Sequence, residues 1–162
     1  MARPEPKKRP LKYNDFDQMM ADLNSLHDGG YVSHGNWTLG QACSHVADWM
    51  RFPMDGFPTP PLPIRIIFQI MKYTIASRVK ARILAEGFKG GMQTAPQTVP
   101  KPNEVTDRDG IEKLQRVVDQ LKAHSGELHP SPLFGQMDHA MHTKVTLLHA
   151  EHHFGYLEPK AM

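Results

Sequence analysis

The segment Leu147–Leu157, LLHAEHHFGYL, places His149, His152 and His153 within five positions. Neutral imidazole is a ligand for several divalent ions, so the cluster points first to metal chemistry. On a helix, successive residues turn by about 100° and residues four apart share a face, with Cβ atoms roughly 6 Å apart. His149 and His153 have that spacing, which is how helix-borne His-x-x-x-His pairs converge on one ion. His149 and His152, three apart, are the competing pair. Met141, Val145 and Leu148 mark an apolar stripe in which His152 falls, with His149 and His153 on its flank. Periodicity alone therefore leaves both pairs open.

A metal site needs a third ligand from another element, and His45 is the best placed. In GNWTLGQACSHVADW it lies beside the face that carries Ala42, Val46 and Trp49. A polar ring there must find a partner. The bland alternative is a hydrogen bond to a carbonyl or carboxylate, the ordinary fate of a half-buried histidine. His142 lies seven and eleven residues before the pair on a similar face and could line the same cavity, whereas His139 is expected to face solvent. Asp48 or Glu151 could orient an imidazole from behind.

Other chemistries fit less well. In HAEHH the glutamate is third, so the His-Glu-x-x-His order of metalloproteases is absent. No Gly-x-Ser-x-Gly elbow occurs. Cys43 and His45, two apart on a helix, diverge and make no nucleophile–base pair.

Five helical patterns must position these residues. The first starts at Asn14 or Asp15 and carries Phe16, Met19, Met20, Leu23 and Leu26 before HDGG ends it. Asn36 or Thr38 caps the second, whose apolar face continues to Met50. FPTPPLP interrupts the chain, and a third helix is expected from about Ile64 to Leu84. It reads as a core-facing amphipathic helix, in preference to a basic helix lying on a membrane surface. A long Gly- and Pro-containing loop from about Glu86 to Val105 follows and could cover the mouth of a site. A fourth helix runs from about Asp107 to His124. The last begins near Met137 or Asp138 and ends about Leu157, stopped by Glu158-Pro159. No strand pattern stands out, so the expected class is all-α, a four-helix bundle with an additional short helix or long loops.

The 162 residues suit one domain, taken as residues 13–162 after a disordered basic tail, residues 1–12. A formal charge of +2 gives no electrostatic case for nucleic acid, and the run Lys7, Lys8, Arg9 reads as solvated tail. The apolar stretch from Ile64 to Ala76 is too short and too polar to span a membrane, and no membrane partner is expected. The single cysteine allows no internal disulfide. With no apolar leader at the start, the reading is a cytoplasmic protein.

Three blocks carry a resemblance: GNWTLGQACSHVADW, HPSPLFGQMD and LLHAEHHFGYL, in that order. Together they resemble the DinB-like superfamily of metal-dependent helical-bundle proteins, and within it a branch known only as a domain of unknown function. The likeness covers nearly the whole chain after the tail. It implies a four-helix bundle with a three-histidine site, whose ligands carry over to His45, His149 and His153, with His152 packed or hydrogen-bonded between them. It implies a divalent ion (zinc, nickel, iron or manganese), a small-molecule substrate such as a low-molecular-weight thiol, and a possible homodimer. Characterised members of the superfamily include thiol-dependent transferases and isomerases. Many relatives carry a glutamine soon after the final ligand, where this chain has Phe154-Gly155-Tyr156-Leu157. The expected activity is metal-assisted activation of a water or thiol, and the rival is a metal-free helical module that binds a small apolar ligand.

Overall fold

The computed structural model describes residues 7–59, 61–89, 98–101, 104–132 and 134–161. It is mostly helical. The elements are α1 (Phe16–Gly29), β1 (Tyr31–Ser33), α2 (Leu39–Asp55), α3 (Leu62–Thr74), α4 (Ala76–Glu86), α5 (Asp107–Ala123), α6 (His139–Phe154) and β2 (Leu157–Pro159).

Each core helix begins where its capping chemistry dictates. Asp15 accepts from the Gln18 main-chain N–H, Thr106 from Asp109 and Asp138 from Met141. Thr38 and Gln41 form a reciprocal capping box at the head of α2. Two further free N–H groups of that first turn are taken by distant side chains. Leu39 N donates to the Tyr31 hydroxyl at 2.9 Å, and Gly40 N donates to Asp107 at 2.8 Å. The start of α2 is thereby tied to the start of α5.

α1, α2, α5 and α6 share one core, with Met19, Leu23, Leu39, Val46, Met50, Leu114, Val118, Ala150 and Phe154 at or below 1% exposure. Burying a leucine or phenylalanine fully is worth about 2 kcal/mol, so these side chains dominate the folding energy. α2 and α5 approach most closely. Gly40 on α2 faces Gly110 on α5, and a Cβ on either would overlap main-chain atoms of the other helix.

Four expectations change. The third helix is two helices, because Ile75 leaves helical geometry (φ −123°, ψ −10°) and restarts the chain as α4. α3 is not core-facing: it contributes no buried residue, while α4 buries Ala76 and Ile83. Periodicity identifies an apolar face but not what covers it. Two short strands were not expected either. β1 and β2 pair antiparallel, with Tyr31 opposite Pro159 and Ser33 opposite Leu157. Three-residue strands are too short to show alternation, and Pro159 sits at an end where its missing N–H costs no ladder bond. α6 accordingly stops at Phe154, short of Leu157.

The stretch from Lys7 to Lys12, read from the sequence as tail, lies against the body. Arg9 N donates to the Gly155 carbonyl at 2.8 Å, and Lys7 pairs with Glu158 at 2.6 Å. The Arg9 guanidinium forks onto Asp22 at 2.9 and 2.6 Å, and the Tyr13 hydroxyl donates to the same carboxylate at 2.6 Å. Burial first, and the Asp22 bond second, push the Tyr13 hydroxyl far above its ordinary pKa, so it stays a donor. Asp22→Ala leaves both donors without their acceptor and is expected to cost about 2 kcal/mol in urea unfolding. A loss below about 0.5 kcal/mol would show that this strap contributes nothing. Residues 1–6 of the expected tail lie outside the described residues.

Candidate metal centre

α2 and α6 bring three histidines together. His45 sits on the inner face of α2 at 1% exposure, beside fully buried Val46 and half-buried Trp49. His149 and His153 stand one turn apart on α6, flanked by fully buried Ala150 and Phe154. The Nε2 atoms of His45 and His149 are 3.3 Å apart, and those of His149 and His153 are 3.0 Å apart. One nitrogen from each of the three rings lies within 4.8 Å of the other two. The His45 and His153 ring centroids are 4.5 Å apart.

These separations suit shared coordination. Two nitrogens bound to one ion at about 2.0–2.1 Å are about 3.3 Å apart at a tetrahedral angle and about 2.9 Å apart at a right angle. Hydrogen bonding points the same way. His45 Nδ1 lies 2.9 Å from the Thr98 carbonyl, which can only accept, so Nδ1 carries the proton and Nε2 presents its lone pair to the cluster. The single proton of a neutral His149 can serve only one of its two Nε2 contacts. A cation satisfies all three nitrogens together.

Burial is the main cause that keeps these rings neutral. Desolvation lowers His45 to about 4, and holds His149 and His153 well below the ordinary histidine range. Neutral imidazole is the ligand form, so the set is competent at neutral pH without prior deprotonation. Aromatic rings supply the dry walls. Trp37 stacks on His153 at 5.1 Å, Trp49 lies 5.6 Å from His149 and Phe88 lies 5.3 Å from it.

His152 is not part of the cluster. Its ring stands edge-on to His153 with centroids 4.9 Å apart, but its Nδ1 lies 2.9 Å from the Phe88 carbonyl and it is not among the three converging rings. The groups that orient imidazoles are thus the carbonyls of Thr98 and Phe88. Asp48 instead pairs with Lys113 at 2.7 Å, and the Glu151 carboxylate accepts from the Tyr13 main chain at 2.7 Å. Among the described residues neither bonds to an imidazole, contrary to the sequence expectation. Backbone carbonyls carry no residue signature, so no motif could have named them. Both belong to the long segment between α4 and α5. Residues 90–97 of that segment, expected to cover the site, lie outside the described residues.

The family described as "protein of unknown function (DUF1569)" matches residues 5–160 of this chain. The chain belongs to the DUF1569 family. Searches of curated proteins and of solved structures gave no match. The function of this DUF1569 member must therefore be argued from its own residues.

The inner face of α6 differs from the stripe read in the sequence. Met141, Val145 and Leu148 are only half-buried, while His142, Thr146, Leu147, Ala150 and Phe154 are buried. Two polar residues on the inner face disguise the pattern. His142 takes no part in the three-histidine cluster. Its ring lies against the Met50 main chain, and its Nε2 has no partner among the described residues. Desolvation chiefly lowers its pKa to about 4.

That shift has a measurable consequence. Above pH 6.5 His142 is neutral folded and unfolded. Between 6.5 and 4 only the unfolded chain takes the proton, so stability falls as pH falls. For this one group the loss between pH 7 and pH 4.5 is on the order of 2 kcal/mol. His142→Leu is expected to shrink the difference in unfolding free energy between those two pH values by about that amount. Equal slopes for both proteins would refute the assignment.

Cys43 is fully buried, and burial raises its thiol well above the usual value. It packs as a small apolar group.

Proposed function

We propose that this DUF1569 member is a metal-dependent enzyme of the DinB-like four-helix-bundle type. In this reading His45, His149 and His153 hold one divalent ion, and the reaction activates a water or a small thiol. The observation that carries it is the convergence of three neutral, desolvated Nε2 atoms spaced as ligands of one ion. Three protein ligands leave positions open, and a bound divalent ion supplies a Lewis acid that lowers the pKa of a water or thiol.

The protein's own residues do the rest. The Thr98 carbonyl fixes the His45 tautomer, and Phe88 holds His152 out of the set. Trp37, Trp49 and Phe88 keep bulk water from three sides and strengthen electrostatics inside the site. The resemblance to DinB-like proteins suggests transfer to or from a low-molecular-weight thiol as the first activity to assay.

The test is metal analysis of full-length protein purified without chelator and without a nickel-loaded step. About one equivalent of zinc, nickel, iron or manganese per chain is expected. Less than about a tenth of an equivalent after metal-replete growth and reconstitution would sink the proposal. The aromatic walls would then favour the rival reading, a non-catalytic module for a small apolar ligand.

A further inference from the structure

Among the described residues nothing covers the apolar face of α3. Leu62, Ile66, Ile67, Ile70 and Tyr73 are 66%, 54%, 53%, 58% and 80% exposed. On a helical wheel Leu62, Ile66, Ile70 and Tyr73 fall within about 80° of one another. Phe68 and Met71, the half-buried residues, lie on the opposite side. The exposed stripe is therefore a built face that looks away from the body along a helix about 20 Å long. Scattered exposed apolar residues are ordinary, but a continuous helical face is not.

Charge narrows what can cover it. From Leu62 to Lys89 the chain holds Arg65, Lys72, Arg78, Lys80, Arg82 and Lys89 against one carboxylate, Glu86. Glu86 is taken by Lys89 at 2.7 Å and Arg82 at 3.6 Å. Among the described residues Arg65, Lys72, Arg78 and Lys80 have no ion-pair partner. Arg65 and Lys72 lie within about 20° of each other on one flank of the apolar stripe. Lys72 and Lys80 also line a cavity of about 260 Å³ with Ala76, Ser77, Phe134 and Gly135, beside the first turn of α4. Its two lysines are the feature that would suit an anionic headgroup.

A second copy of the chain fits poorly. A twofold interface sets the same patch against itself. Antiparallel α3 helices would bring Arg65 of one copy beside Lys72 of the other, with no carboxylate on either helix to separate them. An anionic bilayer answers both properties, accepting the apolar stripe among its acyl chains and the basic flank among its headgroups. No described helix is long and apolar enough to cross a membrane, so the contact would be peripheral.

We infer that α3, with the basic start of α4, docks this protein on anionic membrane surfaces. The inference is independent of the metal site and departs from the sequence expectation of no membrane partner. It is tested by flotation of the full chain with vesicles of phosphatidylcholine alone and of phosphatidylcholine with phosphatidylglycerol. Binding is expected only to the anionic vesicles, and should weaken as salt rises. Each basic residue near the surface is worth roughly fivefold in partitioning, so R65Q/K72Q should bind about 25-fold more weakly. I66S/I70S should abolish binding while its helical circular dichroism stays unchanged, since both side chains are exposed. Failure to bind anionic vesicles at low salt overturns the inference, as does undiminished binding by I66S/I70S. Sedimentation velocity gives the remaining outcome: a stable dimer that I66S/I70S dissociates would assign the face to a second copy and overturn it too.

Discussion

A His149→Ala chain is expected to retain less than about a tenth of the divalent metal bound by the unaltered protein, a loss of more than about 100-fold in affinity. His149 is the ring whose Nε2 faces both other Nε2 atoms, so its removal leaves His45 and His153 without the shared neighbour. The thermal signature should be selective. Metal that binds only the folded state at a thousand times its Kd stabilises by about 4 kcal/mol, or on the order of 10 °C for a domain of this size. The unaltered protein should gain that shift when metal is added, and His149→Ala should not. Without metal the two should melt within a few degrees of each other, because alanine removes a desolvated polar ring along with its packing. His152→Ala is the control. It gives up the bond to the Phe88 carbonyl but none of the three converging nitrogens, so metal content should fall little. Equal metal loss in both variants, or none in His149→Ala, would refute the ligand set.

Gly110→Ala is expected to destabilise the fold by about 3 kcal/mol or more. In most exposed helical positions this change would help, since alanine is the better helix former by about 1 kcal/mol. Here the new methyl would overlap the Gly40 carbonyl oxygen and come within 2.6 Å of the Gly40 Cα. The obstacle is main chain and cannot rotate aside, so α2 and α5 must separate. Separation would pull Gly40 N from Asp107, one of the bonds that hold the start of α2. It would also shift His45, little more than one turn further along. Gly110→Ala should therefore lower the melting temperature by on the order of 10 °C and weaken metal binding together. Gly126→Ala, whose new Cβ would meet only the His124 side chain at 3.2 Å, should cost far less. A neutral or stabilising Gly110→Ala would show that the close crossing of α2 and α5 does not exist in solution.

By itself the sequence determined the core helices and narrowed the starts of three of them to a pair of candidate residues each. Asp15, Thr38 and Asp138 cap α1, α2 and α6 through side chains that bond their own next turn, and such local chemistry is readable residue by residue. The histidines could be narrowed to a few candidates, because four-residue spacing fixes a shared helix face. Geometry on one helix could not choose between His152 and His153; the choice of His153 rested on resemblance. Only the tertiary structure set the His153 nitrogen beside those of His149 and His45 and turned His152 toward the Phe88 carbonyl. It alone left α3 uncovered and set Gly40 against Gly110. The physical reason is common to all of these. Periodicity records which side of an element is apolar or polar, while what meets that side depends on atoms distant in the chain, several of them main-chain carbonyls that no side-chain pattern encodes.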